Sequence, residues 1–164
     1  MGVFLNGLEK VLKFLVIVGN GAMLLLVFFQ VITRYCFGWT PYFGEELARY
    51  LFVWVVFLAL PLVARHGGHM AIETLTSRAK GAFLKSLNIL ADIFSIIFLS
   101  IMVVCGIQMV IRTTYQTSPA MMIPMSYIYV VIPFGCAVML IYVVVNLVNT
   151  IKTPADQLKG GDEA

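Results

Sequence analysis

Four long apolar runs decide which folds this chain can adopt. They cover residues 14–33, 47–64, 86–111 and 127–149. About 20 apolar residues in a helix cross the hydrocarbon core of a bilayer, which is about 30 Å thick. Because lipid offers the backbone no hydrogen-bond partner, each run must pair its own N–H and C=O groups, as a helix does. The sequence therefore predicts an all-α membrane protein with four transmembrane helices.

The composition argues against several other classes of protein. Hydrophobic residues make up 61% of the 164 residues and charged residues 12%, whereas soluble domains have about 45–50% apolar and about 25% charged residues. This balance is unlike that of a soluble enzyme or a disordered chain. No segment outside the runs reaches the roughly 40 residues that a small independent domain needs. We therefore expect one membrane domain over residues 1–164, with a polar tail at 150–164.

The positive charges predict how the helices are oriented and what surrounds them. The net charge of +3 is scattered, so no nucleic-acid partner is expected. All but three of the eleven Lys and Arg residues lie before the first run, between the second and third, or after the fourth. Because such residues concentrate on the cytoplasmic side, both termini are expected in the cytoplasm. The first run is too long for an ordinary signal peptide, and we expect it to stay as an anchor in membrane lipid.

A charged cluster opens the second run. Arg49 follows Glu45 by four residues and Glu46 by three, so either carboxylate can meet the guanidinium on one helix face. A guanidinium inside the lipid boundary needs such a partner or must extend to the headgroups. The cluster is either a self-satisfied helix start or a polar knot, formed with Arg34, that fixes a loop against a partner.

Asp92 is an acidic residue inside the third run. With Asn88 and Ser95 it forms one polar stripe at helical spacing. An acid within a span is a candidate for ion coupling. A proton or sodium relay would want a second acid on another span, and the other runs contain none. A polar seam between helices or subunits is therefore favoured, with ion coupling as the alternative.

The connection after the second run has two features. Gly67 and Gly68 predict a tight turn. A metal site is not expected here, because His66 and His69 are too few and too loosely placed to hold an ion. Residues 72–87 put apolar side chains on one face, which favours a short amphipathic helix on the inner leaflet over a polar loop. No His lies within a run and the three Cys are isolated, so no catalytic residue, metal or cofactor is expected on this chain.

The connection before the fourth run is apolar and contains two prolines. Pro119 and Pro124, which follow Ser118 closely, forbid a continuous helix. The segment is either a re-entrant or partner-facing surface, or an ordinary loop at the headgroups. Within the fourth run, Pro133 and Gly135 are expected to kink or thin the helix where another helix packs.

Short motifs occur in a fixed order along these runs. They are Glu45-Glu46-Leu47-Ala48-Arg49 with a following Trp54, then Gly67-Gly68-His69, then Ser118-Pro119 with Ile123-Pro124. In this order and spacing the chain resembles the small membrane subunit, of DctQ type, of tripartite ATP-independent periplasmic (TRAP) transporters. The resemblance extends from Leu8 to about Asn149.

The resemblance implies a non-catalytic role in the uptake of an organic acid. Such a small subunit pairs with a large multi-span subunit, which carries the substrate and sodium sites and moves as an elevator in the inner membrane of a bacterium or archaeon. A periplasmic substrate-binding protein delivers the acid. The small subunit extends the static scaffold and helps to dock the binding protein.

On this interpretation one set of residues has structural or partner-interface roles. Its members brace the periplasmic corner, shape the cytoplasmic turn, line the seam in the third span, or lie in the proline-containing loop. They are Arg34, Glu45, Glu46, Arg49, Gly67, Gly68, His69, Asn88, Asp92, Ser118, Pro119 and Pro124.

A stand-alone four-helix exporter working as a homodimer is the alternative function. Such exporters usually need a carboxylate at mid-depth in the first span, but the polar residues there are Asn20, Gln30 and Thr33. Two further classes are weaker. A quinone-linked thiol oxidase would want paired Cys residues, and an anchor for a redox complex would want His within the spans.

Overall fold

Four long helices and one short helix form the described part of the chain. The computed structural model describes residues 2–39, 41–66 and 82–152. The helices are α1 (Gly2–Phe37), α2 (Tyr42–His66), α3 (Ala82–Arg112), α4 (Ser126–Tyr129) and α5 (Val131–Lys152). The segments long and apolar enough to cross a membrane are Asn6–Phe37, Tyr42–Arg65, Lys85–Arg112 and Ser126–Lys152. The predicted helical fold with four spans is thereby confirmed for the described residues.

The helices extend beyond the apolar runs that predict them. α1 begins near the N-terminus rather than at residue 14, and an ion pair one helical turn apart supports this extension, with Lys13 Nζ 2.6 Å from Glu9 Oε1. At the other end α1 stops at Phe37, and Gly38 takes a φ of 64°, a left-handed conformation that suits glycine after a helix. Since α2 already begins at Tyr42, the first connection is shorter than the apolar runs suggest.

The long helices lie in a row, in the order α1, α2, α5 and α3. One apolar cluster joins α1, α2 and α5 through Leu12, Leu58 and Tyr142. A second cluster joins α3 to α5 through Leu99 and Cys136. α5 therefore contributes to both clusters and is the most buried span, whereas α1 leaves most of its surface open.

A proline and a glycine shape the start of α5. Pro133 has no N–H to donate to the carbonyl of Tyr129, and the helix is interrupted at Val130, between α4 and α5. A Cβ atom added to Gly135 would lie 2.3 Å from the carbonyl oxygen of Phe57 on α2. The absent side chain lets α2 and α5 approach closely, so another helix packs at Gly135 as predicted.

Several predictions fall outside the described residues. These are the turn at Gly67, Gly68 and His69, and the polar tail from residue 153 onward. Most of the amphipathic helix predicted over 72–87 also lies outside them, although its last residues form the start of α3.

The orientation of the row across the membrane stays a prediction. We therefore name its two ends by their residues. The loop end carries the connection 113–125 between α3 and α4, together with the end of α1 and the start of α2. The terminal end carries the start of α1 and the end of α5.

Candidate functional site

A compact turn forms the loop end between α3 and α4. The N–H of Ser118 donates to the carbonyl of Ile123 at 2.9 Å, and the N–H of Met122 donates back to the carbonyl of Ser118 at 3.1 Å. Met125 N–H closes the base of the turn on the carbonyl of Gln116 at 2.8 Å. Met122 has a φ of 55° and is 73% exposed, so a methionine occupies a conformation that L-residues seldom adopt and projects from the turn.

The carboxylate of Glu46 holds this turn from α2. Glu46 Oε2 accepts hydrogen bonds from the backbone N–H groups of Ala120 at 2.9 Å and Met121 at 3.1 Å. Its other oxygen, Oε1, accepts from the hydroxyl of Tyr50, one turn along α2. The Tyr50 hydroxyl also lies 3.6 Å from the sulfur of Met125. We call Glu46, Tyr50 and Ser118 with residues 119–125 the loop clamp.

The sequence of the turn explains why it needs these acceptors. Pro119 fixes its own φ and ends any regular helix, which leaves the next two backbone N–H groups without helical partners. Glu46 supplies acceptors for both, and Ser118 Oγ accepts a second contact from the N–H of Met121 at 3.2 Å. Ser118 itself has no exposed surface. The turn is therefore held by a buried hydroxyl within it and by a carboxylate on another helix.

The predicted ion pair of Arg49 is not formed. Among the described residues no carboxylate pairs with Arg49, and the side chains of Arg34, Glu45 and Arg49 are all exposed. The physical reason is that both oxygens of Glu46 are engaged by the turn and by Tyr50. Exposed arginines can instead extend their charged ends toward water or headgroups.

Sequence reasoning missed Tyr50 as part of this site. The available signal was its position four residues after Glu46, where a helix brings two side chains together. Because Arg49, which directly precedes Tyr50, carries the opposite charge, the arginine was expected to be the partner of Glu46 instead. The two loop residues that donate to Glu46 gave no local signal, since they follow it by more than 70 residues.

The seam in the third span involves a second residue that the sequence analysis did not single out. Asp92 has no exposed surface, and its two carboxylate oxygens lie 3.4 and 3.2 Å from Nδ2 of Asn146 on α5. Asn88 lies one turn earlier on α3 and is partly buried. The carboxylate therefore joins α3 to α5 inside the chain.

At the terminal end, an arginine joins three helices. Arg65 on α2 lies 2.8 Å from a carboxylate oxygen of Glu9 on α1 and donates to the side-chain oxygen of Asn6. Its guanidinium carbon lies 5.8 Å from the ring centre of Tyr142 on α5, within reach of a cation–π contact. These contacts fix the start of α1 against α2 and α5.

An open groove of about 570 Å³ runs between α1, α2 and α5. Its walls are apolar and include Leu15, Val18, Trp54 and Phe134. Asp92 is not among the lining residues, so the described structure does not connect the buried carboxylate to this space. The described residues also contain no cluster of three or more His, Cys, Asp or Glu side chains that could hold a metal ion.

These features define a multi-pass helical membrane protein with a shaped loop at one end of its row of helices. The family described as the DctQ component of tripartite ATP-independent periplasmic transporters matches residues 23–153. The chain belongs to this family, as its motifs predicted. The family and the four spans together indicate a multi-pass inner-membrane protein that is a component of a transport system.

Individual relatives agree with this assignment. A protein of Haemophilus influenzae named as a TRAP transporter small permease is 26% identical over 150 residues, covering 92% of this chain and 91% of the relative. A second protein so named in that organism is 34% identical over 71 residues, covering 43% and 44% of the two chains. The isethionate TRAP transporter permease protein DctMQ of Oleidesulfovibrio alaskensis is 23% identical over 148 residues, covering 83% of this chain but 23% of that protein.

Proposed function

We propose that this chain is the non-catalytic small membrane subunit of a TRAP-type secondary transporter that takes up an organic acid. In this proposal a large multi-span subunit carries the substrate and the coupling sodium ions. The present chain extends the static part of the complex. The observation that carries the proposal concerns Asp92, an acidic residue that is buried within a span. It contacts Asn146 between α3 and α5 and does not line the open groove.

A membrane partner is supported by the DctMQ relative. This chain corresponds to 23% of that protein, so a region similar to it is continuous there with a much longer permease polypeptide. When two regions are joined in one protein, the corresponding separate chains of a related system are expected to associate.

The loop end is the part of the chain that we expect to face the periplasm. The distribution of Lys and Arg supports this orientation, with both termini in the cytoplasm. The loop end then presents Met122, on the turn of the loop clamp, and Tyr115, just before that turn; these side chains are 73% and 95% exposed. A preformed turn with exposed apolar side chains suits the docking of a periplasmic substrate-binding protein.

Co-purification tests this function. The chain carries a tag at its C-terminus, is extracted gently from native membranes, and is analysed for stoichiometric partners. We expect a much larger multi-span protein, and we expect sodium-dependent uptake of an organic acid only when that protein and the binding protein are reconstituted with it. A homodimer that transports alone would overturn the proposal and favour the exporter alternative.

A further inference from the structure

The side-chain amide of Asn20 lies on an open face of α1 and far from both membrane surfaces. Asn20 is exposed, and among the described residues it has no hydrogen-bond partner. At a rise of about 1.5 Å per residue it lies about 10 Å along the helix from Lys13 and about 21 Å from Arg34. These two cations mark the polar ends of the span. An asparagine side chain is too short to reach either end.

An amide at this depth is not stable against lipid tails. Moving an unpaired amide into hydrocarbon is unfavourable because its donors and acceptor lose their hydrogen bonds to water. Other exposed polar groups of the spans avoid this cost. Ser100 donates to the carbonyl of Ile96 in its own helix at 2.7 Å. Gln108 lies only one turn from Arg112, where its longer side chain can reach the membrane surface.

The surface around Asn20 has the composition of a contact between transmembrane helices. Ile17 and Leu24 flank it one turn away on each side and are 70% and 65% exposed. Gly21 lies beside it, and a Cβ atom added there would meet nothing within 4 Å. Interfaces between transmembrane helices are enriched in small residues with hydrogen-bonding side chains across them. A different side of α1, formed by Leu8, Leu12 and Val16, packs against α2 and α5.

Gln30, further along α1, faces α2 rather than the open face that carries Asn20. Its side chain packs against Gly44 of α2. Its Nε2 atom is buried and has no hydrogen-bond partner among the described residues. Asn20 therefore differs from Gln30, whose amide is enclosed against α2, and from Asn146 of α5, which donates to Asp92.

We propose that the face of α1 formed by Ile17, Asn20, Gly21 and Leu24 is the contact surface for a transmembrane helix of the large permease subunit. The amide of Asn20 makes a hydrogen bond there to a polar group of that helix at the same depth. The inference rests on the proposed function, because it names the face through which that association occurs. The large subunit is preferred to a second copy of this chain because the DctMQ relative joins the two kinds of region in one polypeptide.

Site-specific photocrosslinking in the full complex tests the position of the contact. A benzophenone amino acid replaces Ile17 or Leu24 on α1, and Ile97 or Ile101, which are 52% and 56% exposed, on α3 as matched controls. We expect adducts with the large subunit from the α1 positions and few from the α3 positions. Adducts mainly from α3, or adducts of this chain with itself from α1, would overturn the inference.

Substitution of the amide tests the hydrogen bond itself. With Asn20→Leu, we expect about threefold to tenfold less large subunit retained through a detergent wash, as for loss of one hydrogen bond between transmembrane helices. Asn20→Gln should restore retention, and Gln108→Leu on α3 should leave it unchanged. Equal retention in Asn20→Leu and the wild type would refute the role of Asn20. A wild type that retains no large subunit in any condition would instead refute the proposed function.

Discussion

The α5 and α1 helices contain similar small and polar residues but use them differently. In α5, Gly135 admits the carbonyl of Phe57, and Asn146 donates to Asp92 on α3. In α1, a Cβ atom on Gly21 would meet nothing within 4 Å, and Asn20 has no partner in the described part of the chain. The same residue types therefore hold this chain together on one side of the row and remain available to a neighbour on the other.

The largest effect is expected from filling the space at Gly135. Gly135→Leu places side-chain atoms where the carbonyl of Phe57 lies, so α2 and α5 must move apart. The cost should be about 3 kcal/mol, the upper end of what overpacking a tight contact usually costs. Thermal unfolding of the purified chain in detergent, followed by helical circular dichroism, measures it.

Gly21→Leu is the matched control on α1. It adds the same side chain to a helix of the same row, but at a position with open space. The thermal stability of the purified chain should therefore stay near that of the wild type, while retention of the large subunit falls. If Gly21→Leu destabilised the purified chain as much as Gly135→Leu, the contrast between the two helices would be wrong.

A smaller effect is expected from the polar contact between α3 and α5. Asp92→Leu removes the buried acceptor of the hydrogen bond from Nδ2 of Asn146, and a hydrogen bond to a charged group is worth about 1.5–3 kcal/mol. The double variant Asp92→Leu with Asn146→Leu removes both polar groups and should recover part of the loss. Equilibrium unfolding of the two single variants and the double variant gives the interaction energy.

Asp92→Asn separates this structural role from ion coupling. The amide keeps the ability to hydrogen-bond while it removes the charge. In the reconstituted complex we expect the number of sodium ions transported per substrate to stay the same. A changed stoichiometry would assign Asp92 to the coupling pathway and would end its interpretation as a contact between helices.

The sequence predicted the features that depend on residues close to one another in the chain. The lengths of the apolar runs predicted four spans, and Pro133 with Gly135 predicted the irregular start of α5. The hydrogen-bond partners of polar side chains were harder to predict, because they come from distant parts of the chain. Spacing along α2 pointed to Arg49 as the partner of Glu46, although loop residues more than 70 positions away bind that carboxylate.

Asp92 is a second case in which the sequence could not identify the partner of a polar side chain. Its position within an apolar run predicted that it needs a partner, which holds for any acid at that depth. The identity of the partner, Asn146, depends on how α3 and α5 are rotated against each other, and that rotation is set by apolar packing along both helices. The polar stripe on α3 alone cannot specify how the two helices are rotated against each other.

The effect on overall stability should be smallest at the loop clamp, because water can replace part of the hydrogen bonding at the loop end. Glu46→Ala removes the acceptor for the N–H groups of Ala120 and Met121, so residues 119–125 should become mobile while the helices remain packed. Limited chymotrypsin digestion, which can cut after Met122, should be several-fold faster within this segment, since cleavage follows local opening.

Arg49→Ala provides the comparison on the same helix. It removes a larger and charged side chain three residues away, but the structure gives Arg49 no contact with the turn. Digestion of the turn should therefore match the wild type, even though spacing and charge alone made Arg49 the expected partner of Glu46. Faster cleavage in both variants would mean that the arginine does support the loop, and that Glu46 and Arg49 act together as first predicted. Faster cleavage in Glu46→Ala alone would assign the turn to hydrogen bonds between a carboxylate and the backbone, which need acceptors but no opposite charge.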